Sequence, residues 1–310
     1  MRVFVTGASG WIGAAVVPEL IGAGHQVIGL ARSDAAASAL AVAGAEVQRG
    51  TLDDLDTLRS AAAASDGVIH LAFKHDLAFS GNFQGAADAD RRAVETFGEA
   101  LMESDRPLVI ASGVLGLKPD GVGTERDGHG CDSTPAALDA GPRTRLATAE
   151  VTLSFASRGV RSSVVRLAPT VHGEGDTGFV ATLVDIARTT GVSGYIGDGS
   201  NRWPAVHRFD AARLFRLALE APAGSTLHAI ADEGLPIRAI AEVIGQHLDV
   251  PIVAVSPDDA AEHFTWLAGF LATDCPTSSA LTRELLQWQP AHPGLIDDLE
   301  QGHYFRKPSE

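Results

Sequence analysis

The residues with the clearest chemical purpose are Gly7, Gly10 and Gly13, spaced Gly-x-x-Gly-x-x-Gly directly behind the apolar stretch Val3-Phe-Val5. Gly7 lets the chain turn sharply off a strand. Gly10 lets backbone amides approach a pyrophosphate, and Gly13 lets the following helix pack on the strand. A helix opening there presents unpaired N–H groups and the positive end of its dipole to phosphate. The implied chemistry is dinucleotide binding, with Ser9, Trp11 and Ile12 completing the loop. A tight turn of purely structural purpose would use the same glycines; the strand before and the helix after favour the nucleotide.

Such a loop needs a parallel sheet to carry it, and the first half of the chain supplies the pattern. Strand signals at 2–5, 25–30, 45–48, 67–71, 107–111 and 162–167 alternate with helical ones at 14–22, 35–43, 54–63, 86–102 and 144–157. That alternation predicts an α/β fold, a Rossmann-type doubly wound parallel sheet covered on both faces. A Gly- and Asp-rich loop spans 116–141. Beyond 170 the rhythm breaks. Gly194-Tyr-Ile-Gly-Asp-Gly199 reads as an exposed, glycine-punctuated stretch, and Leu235 to Leu248 as a helix with Pro236 in its first turn. Residues 1–170 are expected to form the dinucleotide-binding domain, with a later return near 200–230. Residues 171–310 are expected to form mainly a smaller C-terminal substrate-binding lobe.

Ligands in such sheets bind beyond the carboxyl ends of the strands. Leu52, Leu71, Ala72 and Phe73 follow the third and fourth strands and are candidates to touch the cofactor. The residue ending the second strand reads the adenosine ribose. Here Arg32 and Ser33 stand in place of an acidic residue, a cation and a hydroxyl suited to a 2′-phosphate. NADP is therefore expected over NAD, although Asp34 lies next to this pair and a solvated arginine at a strand end is the plainer account.

Composition limits the alternatives. The 310 residues are 45% hydrophobic and 20% charged, ordinary values for a folded globular protein. A formal net charge of -15 argues against a nucleic-acid surface. No stretch approaches the length of a membrane span, and the N-terminal apolar run is too short for a signal peptide. Cys131 and Cys275 are too few for a disulfide framework, so a reducing, cytoplasmic setting is expected. No cluster of His, Cys, Asp or Glu has metal-ligand spacing, and Gly-x-Ser-x-Gly is missing, which argues against a serine hydrolase. The expected partner is a small-molecule substrate.

With these residues assembled, the chain resembles the extended short-chain dehydrogenase/reductases, the NAD(P)-dependent epimerase/dehydratase group. The resemblance rests on Thr6-Gly-Ala-Ser-Gly-Trp-Ile-Gly13, His70-Leu-Ala72, Ile110-Ala-Ser112, Val165-Arg-Leu-Ala-Pro169 and Val206-His-Arg-Phe-Asp210. It implies an active site between the two lobes, with Pro169 beside the nicotinamide, and a homodimer through the helices near 86–102 and 144–157. Members of this group carry a serine ending the fifth strand, a catalytic tyrosine, and a lysine four residues after it. Ser112 matches the serine. Tyr195 and Tyr304 are the only tyrosines, and four residues after them stand Gly199 and Pro308. If Glu150 holds the acidic position that often follows the lysine, Pro142 replaces the tyrosine and Leu146 the lysine. The chain then resembles an atypical branch that keeps the cofactor fold without the usual acid.

Several residues could fill the gap. Arg143 and Arg145 could hold the ribose or an anionic substrate, but a guanidinium is a poor general acid. His75, in Lys74-His75-Asp76 after the fourth strand, could shuttle a proton near neutral pH. It could equally belong to a polar loop. His172, on the segment beside the nicotinamide, is a further candidate donor. His207 reads as structural, and Tyr195 and Trp203 as substrate-facing or packing aromatics. Ser112 is placed to donate to a carbonyl oxygen that gains charge as hydride arrives. The expected function is hydride transfer on a small or medium carbonyl or alcohol. The alternatives are a catalytically silent redox sensor, or an epimerase or tailoring enzyme of sugar or polyketide metabolism.

Overall fold

The computed structural model describes residues 1–118, 120–129 and 140–306. Cys131, Lys307 and the side chains of Pro142 and Arg143 lie outside the described residues. The chain opens with β1 (Arg2–Thr6), α1 (Gly13–Gly22), β2 (Gln26–Ala31), α2 (Asp34–Val42), β3 (Glu46–Arg49) and α3 (Leu55–Ala63). Next come β4 (Gly67–His70), α4 (His75–Phe79), α5 (Phe83–Leu101), β5 (Pro107–Gly113), α6 (Ala140–Ser154) and β6 (Arg161–Leu167). The later part holds β7 (Thr170–His172), α7 (Phe179–Thr190), β8 (Ser193–Ile196), β9 (Arg202–His207), α8 (Arg208–Ala218) and β10 (Ser225–Ala229). It ends with β11 (Asp232–Pro236), α9 (Ile237–Leu248), β12 (Ile252–Val255), α10 (Ala260–Phe264), α11 (Ala268–Leu271), α12 (Ala280–Leu286) and α13 (Leu295–Glu300).

Seven strands make one parallel sheet in the order β10-β6-β5-β4-β1-β2-β3. The α/β fold and doubly wound sheet expected from the sequence are present. Both faces are buried, which is why the strands read as near-continuous apolar runs. Val3, Val5, Leu20, Leu214 and Phe215 pack on the face covered by α1 and α8. Phe4, Val68, Phe97 and Phe155 pack on the face covered by α3, α5 and α6. From β1 the chain winds outward through β2 to β3, then returns to place β4 on the other side of β1. The strand order therefore reverses between β1 and β4, and a crevice opens beyond their carboxyl ends.

The second lobe is built on the sheet β11-β9-β7 and the pair β12-β8. Its core gathers Trp203, Ile240, Ile244, Phe264, Leu267 and Leu271. The chain crosses back twice. β10 joins the edge of the large sheet, and Trp288 is fully buried in the first core with Nε1 donating to the Asp210 carbonyl at 3.1 Å. Among the described residues no helix is long and apolar enough to cross a membrane, and no three His, Cys, Asp or Glu are grouped to hold a metal.

Three local expectations need correction. Residues 193–196 form a strand, with Ser193 and Gly194 buried, because β12 pairs beside them and His263 and Val255 cover Gly194. The span 235–248 divides into the end of β11 and α9, with Pro236 as N-cap at φ -58° rather than inside the first turn. His75 and Asp76 open the short helix α4 instead of a loop.

The tightest point of the fold is the β1–α1 turn. A β-carbon on Gly13 would stand 2.1 Å from the Gly7 carbonyl oxygen and 2.7 Å from Ala8 backbone. Gly13→Ala is expected to destabilise the protein by about 1–3 kcal/mol, as overpacking does, and to abolish cofactor binding. Gly22→Ala, where a β-carbon meets nothing within 4 Å, is expected to leave the melting temperature unchanged or raised. Paired thermal melts check this; equal melting temperatures for the two variants would contradict it.

Candidate active site

Gly7 takes φ +66°, and a β-carbon there would lie 2.7 Å from the Ala72 nitrogen, so the turn rests directly on the chain leaving β4. Gly10 is different. It is exposed, and a β-carbon on it would approach only the Gly7 carbonyl, at 3.2 Å. The Gly10 N–H closes the turn onto Gly7 at 3.0 Å, while the Trp11 and Ile12 amides make no backbone hydrogen bond. Ser9 is exposed beside them. Two free amides at a helix start, behind an open glycine, fit a pyrophosphate.

Beneath the loop runs a buried polar chain. The Ala72 N–H donates to Thr6 Oγ1 at 3.3 Å, Thr6 Oγ1 meets His70 Nδ1 at 2.6 Å, and His70 Nε2 meets Asp90 Oδ1 at 3.0 Å. A proton on Nε2 shared with Asp90 leaves Nδ1 to accept the Thr6 hydroxyl proton. The Trp11 side chain turns toward the second lobe. Its Nε1 donates to the Val171 carbonyl at 2.8 Å, and the Arg208 guanidinium lies 4.4 Å over its ring.

On the adenosine side, Arg32 is exposed and pairs with Asp76 at 3.2 Å. Ser33 caps α2, its Oγ accepting the Ala36 N–H at 3.2 Å. Arg49, ending β3 in register with Ala31, donates to the Ser33 carbonyl at 2.6 Å and pairs with Asp34. Two guanidinium groups thus flank the cap, each held by one carboxylate. Leu52 is buried with Leu30 and Leu58, and Leu71 and Ala72 are half-buried against Gly7.

At the end of β5 the buried Ser112 hydroxyl has no hydrogen-bond partner among the described residues. Beside it, Arg145 reaches from α6 and donates through Nη2 to the Ala111 carbonyl at 2.7 Å. The same guanidinium lies 4.4 Å over the Phe73 ring, and Phe73 meets His75 edge-on at 5.2 Å. His75 is exposed. Partial desolvation, then the Arg145 charge, holds its pKa below the ordinary 6.5. Leu146, one residue from Arg145, packs into the core with Val114 and Leu117. Across the β5–β6 register from Ser112, Arg166 is fully buried. Its Nη1 donates to the Asp127 carbonyl at 2.7 Å, and burial lowers its pKa to about 10.

His172 is fully buried on β7, its Nδ1 2.9 Å from Asp298 and its ring edge-on to His207 at 5.3 Å. Burial pushes the Asp298 carboxyl up, but hydrogen bonds from His172 and His303 outweigh it and hold the pKa low. Burial, with the charges of His172 and His292, pulls His207 down to about 4. Pro169 is half-buried between β6 and β7. The Tyr304 hydroxyl donates to Asp176 at 2.9 Å and accepts the Gly173 N–H at 3.3 Å, and burial raises its pKa. Tyr195 lies under Arg238 at 5.6 Å.

The structure therefore brings Ser112, Arg145, Phe73 and His75 to one end of the sheet, and commits His172 to contacts with Asp298 and His207. Sequence reasoning passed over Asp90 and Arg49. Asp90 had a signal: it is the acid inside the apolar stripe Ala86, Ala89, Ala93, Val94, Phe97 of α5. Arg49 ends its strand as Arg32 follows its own, but nothing local shows that Arg49 reaches Ser33.

The profile of the NAD dependent epimerase/dehydratase family matches residues 3–229. An uncharacterized protein of Schizosaccharomyces pombe is 48% identical over 98% of this chain and 100% of its own length. A 4-hydroxy-2-methyl-3-oxo-4-farnesyl-3,4-dihydroquinoline-1-oxide ketoreductase of Stigmatella aurantiaca is 28% identical, over 77% of this chain and 70% of its own. Among solved structures, the UDP-glucose 4-epimerase of Thermotoga maritima superposes with a TM-score of 0.78 at 18% identity, covering 98% of each chain. On the match over residues 3–229, the chain belongs to the NAD dependent epimerase/dehydratase family.

Proposed function

We propose that the protein is an NADP(H)-preferring oxidoreductase that transfers hydride to or from a small or medium carbonyl or alcohol substrate at Ser112, without a tyrosine acid. The observation that carries the reading is the buried Ser112 hydroxyl, free to donate at the strand end beside Arg145. The ketoreductase named among the relatives supports reduction as the reaction class. Gly7, Gly10 and the Trp11 and Ile12 amides would hold the pyrophosphate, Arg32, Ser33 and Arg49 a 2′-phosphate, and Phe73 and Pro169 the nicotinamide side. NADPH supplies the hydride when bound.

The protein's own residues supply orientation, charge and a proton. The Ser112 hydroxyl donates to the substrate oxygen and fixes its carbon toward the cofactor. Arg145, anchored on the Ala111 carbonyl and Phe73, places a permanent positive charge next to that oxygen. Because a guanidinium does not release its proton, His75 delivers the proton that turns the reduced carbonyl into an alcohol.

Three outcomes follow. Ser112→Ala is expected to cut turnover of a carbonyl panel by about 10²-fold or more, the scale of losing one oxyanion donor, with the NADPH dissociation constant unchanged. NADPH binding without turnover on any carbonyl would instead favour the sensor. Arg32→Ala and Arg49→Ala should each weaken NADPH by about tenfold to a hundredfold, the worth of one charge-assisted contact, and leave NADH alone. An unchanged NADPH/NADH ratio in both removes them from the cofactor site. For His75 the donor is the protonated ring, and its pKa lies below 6.5. The rate of carbonyl reduction should therefore fall as pH rises through that pKa, and His75→Gln should flatten this limb. A profile identical in His75→Gln assigns the proton elsewhere.

A further inference from the structure

The second lobe carries a group of aromatic rings around Phe179. The Phe179 ring, at the start of α7, lies 5.4 Å from Trp203, 5.6 Å from Trp266 and 5.6 Å from Phe270. Exposure grades across the group. Trp203 is buried with Nε1 on the Thr273 carbonyl at 3.0 Å, Phe179 and Phe270 are half-buried, and Trp266 is 48% exposed. A single exposed tryptophan needs no explanation. A contiguous set with a buried root and an open rim is the form of a binding wall.

Two contacts tie this wall to the cleft. Gly175, four residues before Phe179, lies against the Trp11 ring of the glycine loop, where a β-carbon would stand 3.7 Å from it. Leu115, three residues beyond Ser112, packs on the core to which Phe179 and Phe270 also belong. The segment leaving Ser112 and the aromatic group therefore pack on one core.

Several arginines of the second lobe are already paired. Arg202, next to Trp203, spends Nε and Nη2 on Asp274 at 3.2 and 2.9 Å, and the same pairing raises its pKa and lowers that of Asp274. Arg188 is paired with Asp185, Arg238 with Glu242 and Arg306 with Glu174. Arg208 lies over Trp11 and Phe209 and has no ion pair among the described residues. A diphosphate or carboxylate drawn to Arg202, Arg188, Arg238 or Arg306 would have to break a formed ion pair; a neutral apolar group would not.

We infer that Phe179, Trp266 and Phe270 form the substrate wall of this site and select neutral carbonyl compounds carrying an aryl or long alkyl group, against nucleoside-diphosphate sugars. The inference rests on the reading of Ser112 as the reacting end of the cleft. Aromatic faces of this size supply large contact area at low entropic cost, and the paired arginines withhold the charge that a nucleotide sugar requires.

The test is isothermal titration of the full chain saturated with NADP⁺, so that no turnover occurs, using 2-acetonaphthone and UDP-glucose as probes. The aryl ketone is expected to bind at least tenfold more tightly than UDP-glucose. Trp266→Ala and Phe270→Ala should each weaken it by about tenfold, as loss of one stacked ring does, while NADP⁺ affinity and the melting temperature hold. Trp266→Phe should retain most of the affinity. Equal or tighter binding of UDP-glucose, or ketone affinity unchanged in both alanine variants, overturns the inference. Ketone binding that depends on Trp266 without reduction by NADPH would fault the oxidoreductase reading alone. Reduction of small polar carbonyls that ignores Trp266→Ala would fault this inference alone.

Discussion

The approach of Gly13 to the Gly7 carbonyl, closer than any side-chain carbon allows, is the constraint on which the rest of the structure depends. It sets α1 on β1, and through Gly7 it sets both on the chain leaving β4. Steric contact alone fixes distance, not rotation. The buried run Ala72–Thr6–His70–Asp90 adds directional bonds at the same junction and ties in α5. Buried polar groups satisfied in this way resist rearrangement, because breaking one leaves another unpaired. The ends of β1, β4 and β5 thus form one platform, and the residues just beyond them inherit its rigidity.

Much of that platform was legible in the sequence, for a physical reason. A strand buried on both faces must be apolar at nearly every position, so Val3-Phe-Val5 and Val164-Val165 are visible without any partner. The second lobe lacks this advantage. The stretch from Gly194 to Gly199 reads as exposed because glycines punctuate it, and the cover of Gly194 comes from Val255 and His263, some sixty to seventy residues further on. The site shows the same division. Arg32 is identifiable from its place after a strand, whereas its pairing with Asp76 and the arrival of Arg49 depend on how three strand ends converge. Ser33 illustrates a residue whose local role, capping α2, was available from the sequence as readily as a ligand role.

The rotational setting of α6 decides which side chains reach the reacting end of the sheet. Successive helical residues point about 100° apart, so Arg145 and Leu146 cannot serve the same face. The helix turns Leu146 into the apolar core and Arg145 onto the Ala111 carbonyl. An ammonium at position 146 would lie among Val114 and Leu117, where desolvation opposes its charge. The cation at this end of the sheet is therefore a guanidinium from the neighbouring position, stacked on Phe73 as planar guanidinium groups readily are.

On the proposed reading, a guanidinium in this place has a chemical consequence. A tyrosine beside a lysine joins two roles in one pair, since the ammonium supplies charge and makes the phenol a better proton donor. Arg145 can supply charge only, because it stays protonated. Each of the two tyrosines has contacts of its own. Tyr304 is held by Asp176 and buried, and Tyr195 lies under Arg238 in the second lobe. The titratable ring beside Arg145 is that of His75. In the proposed mechanism the arginine stabilises negative charge on the substrate oxygen; burial first, and then the Arg145 charge, lower the imidazole pKa, which makes the ring a stronger acid but leaves less of it protonated at neutral pH. In the proposed mechanism charge and proton are thus divided between two residues, coupled through the field of one on the other.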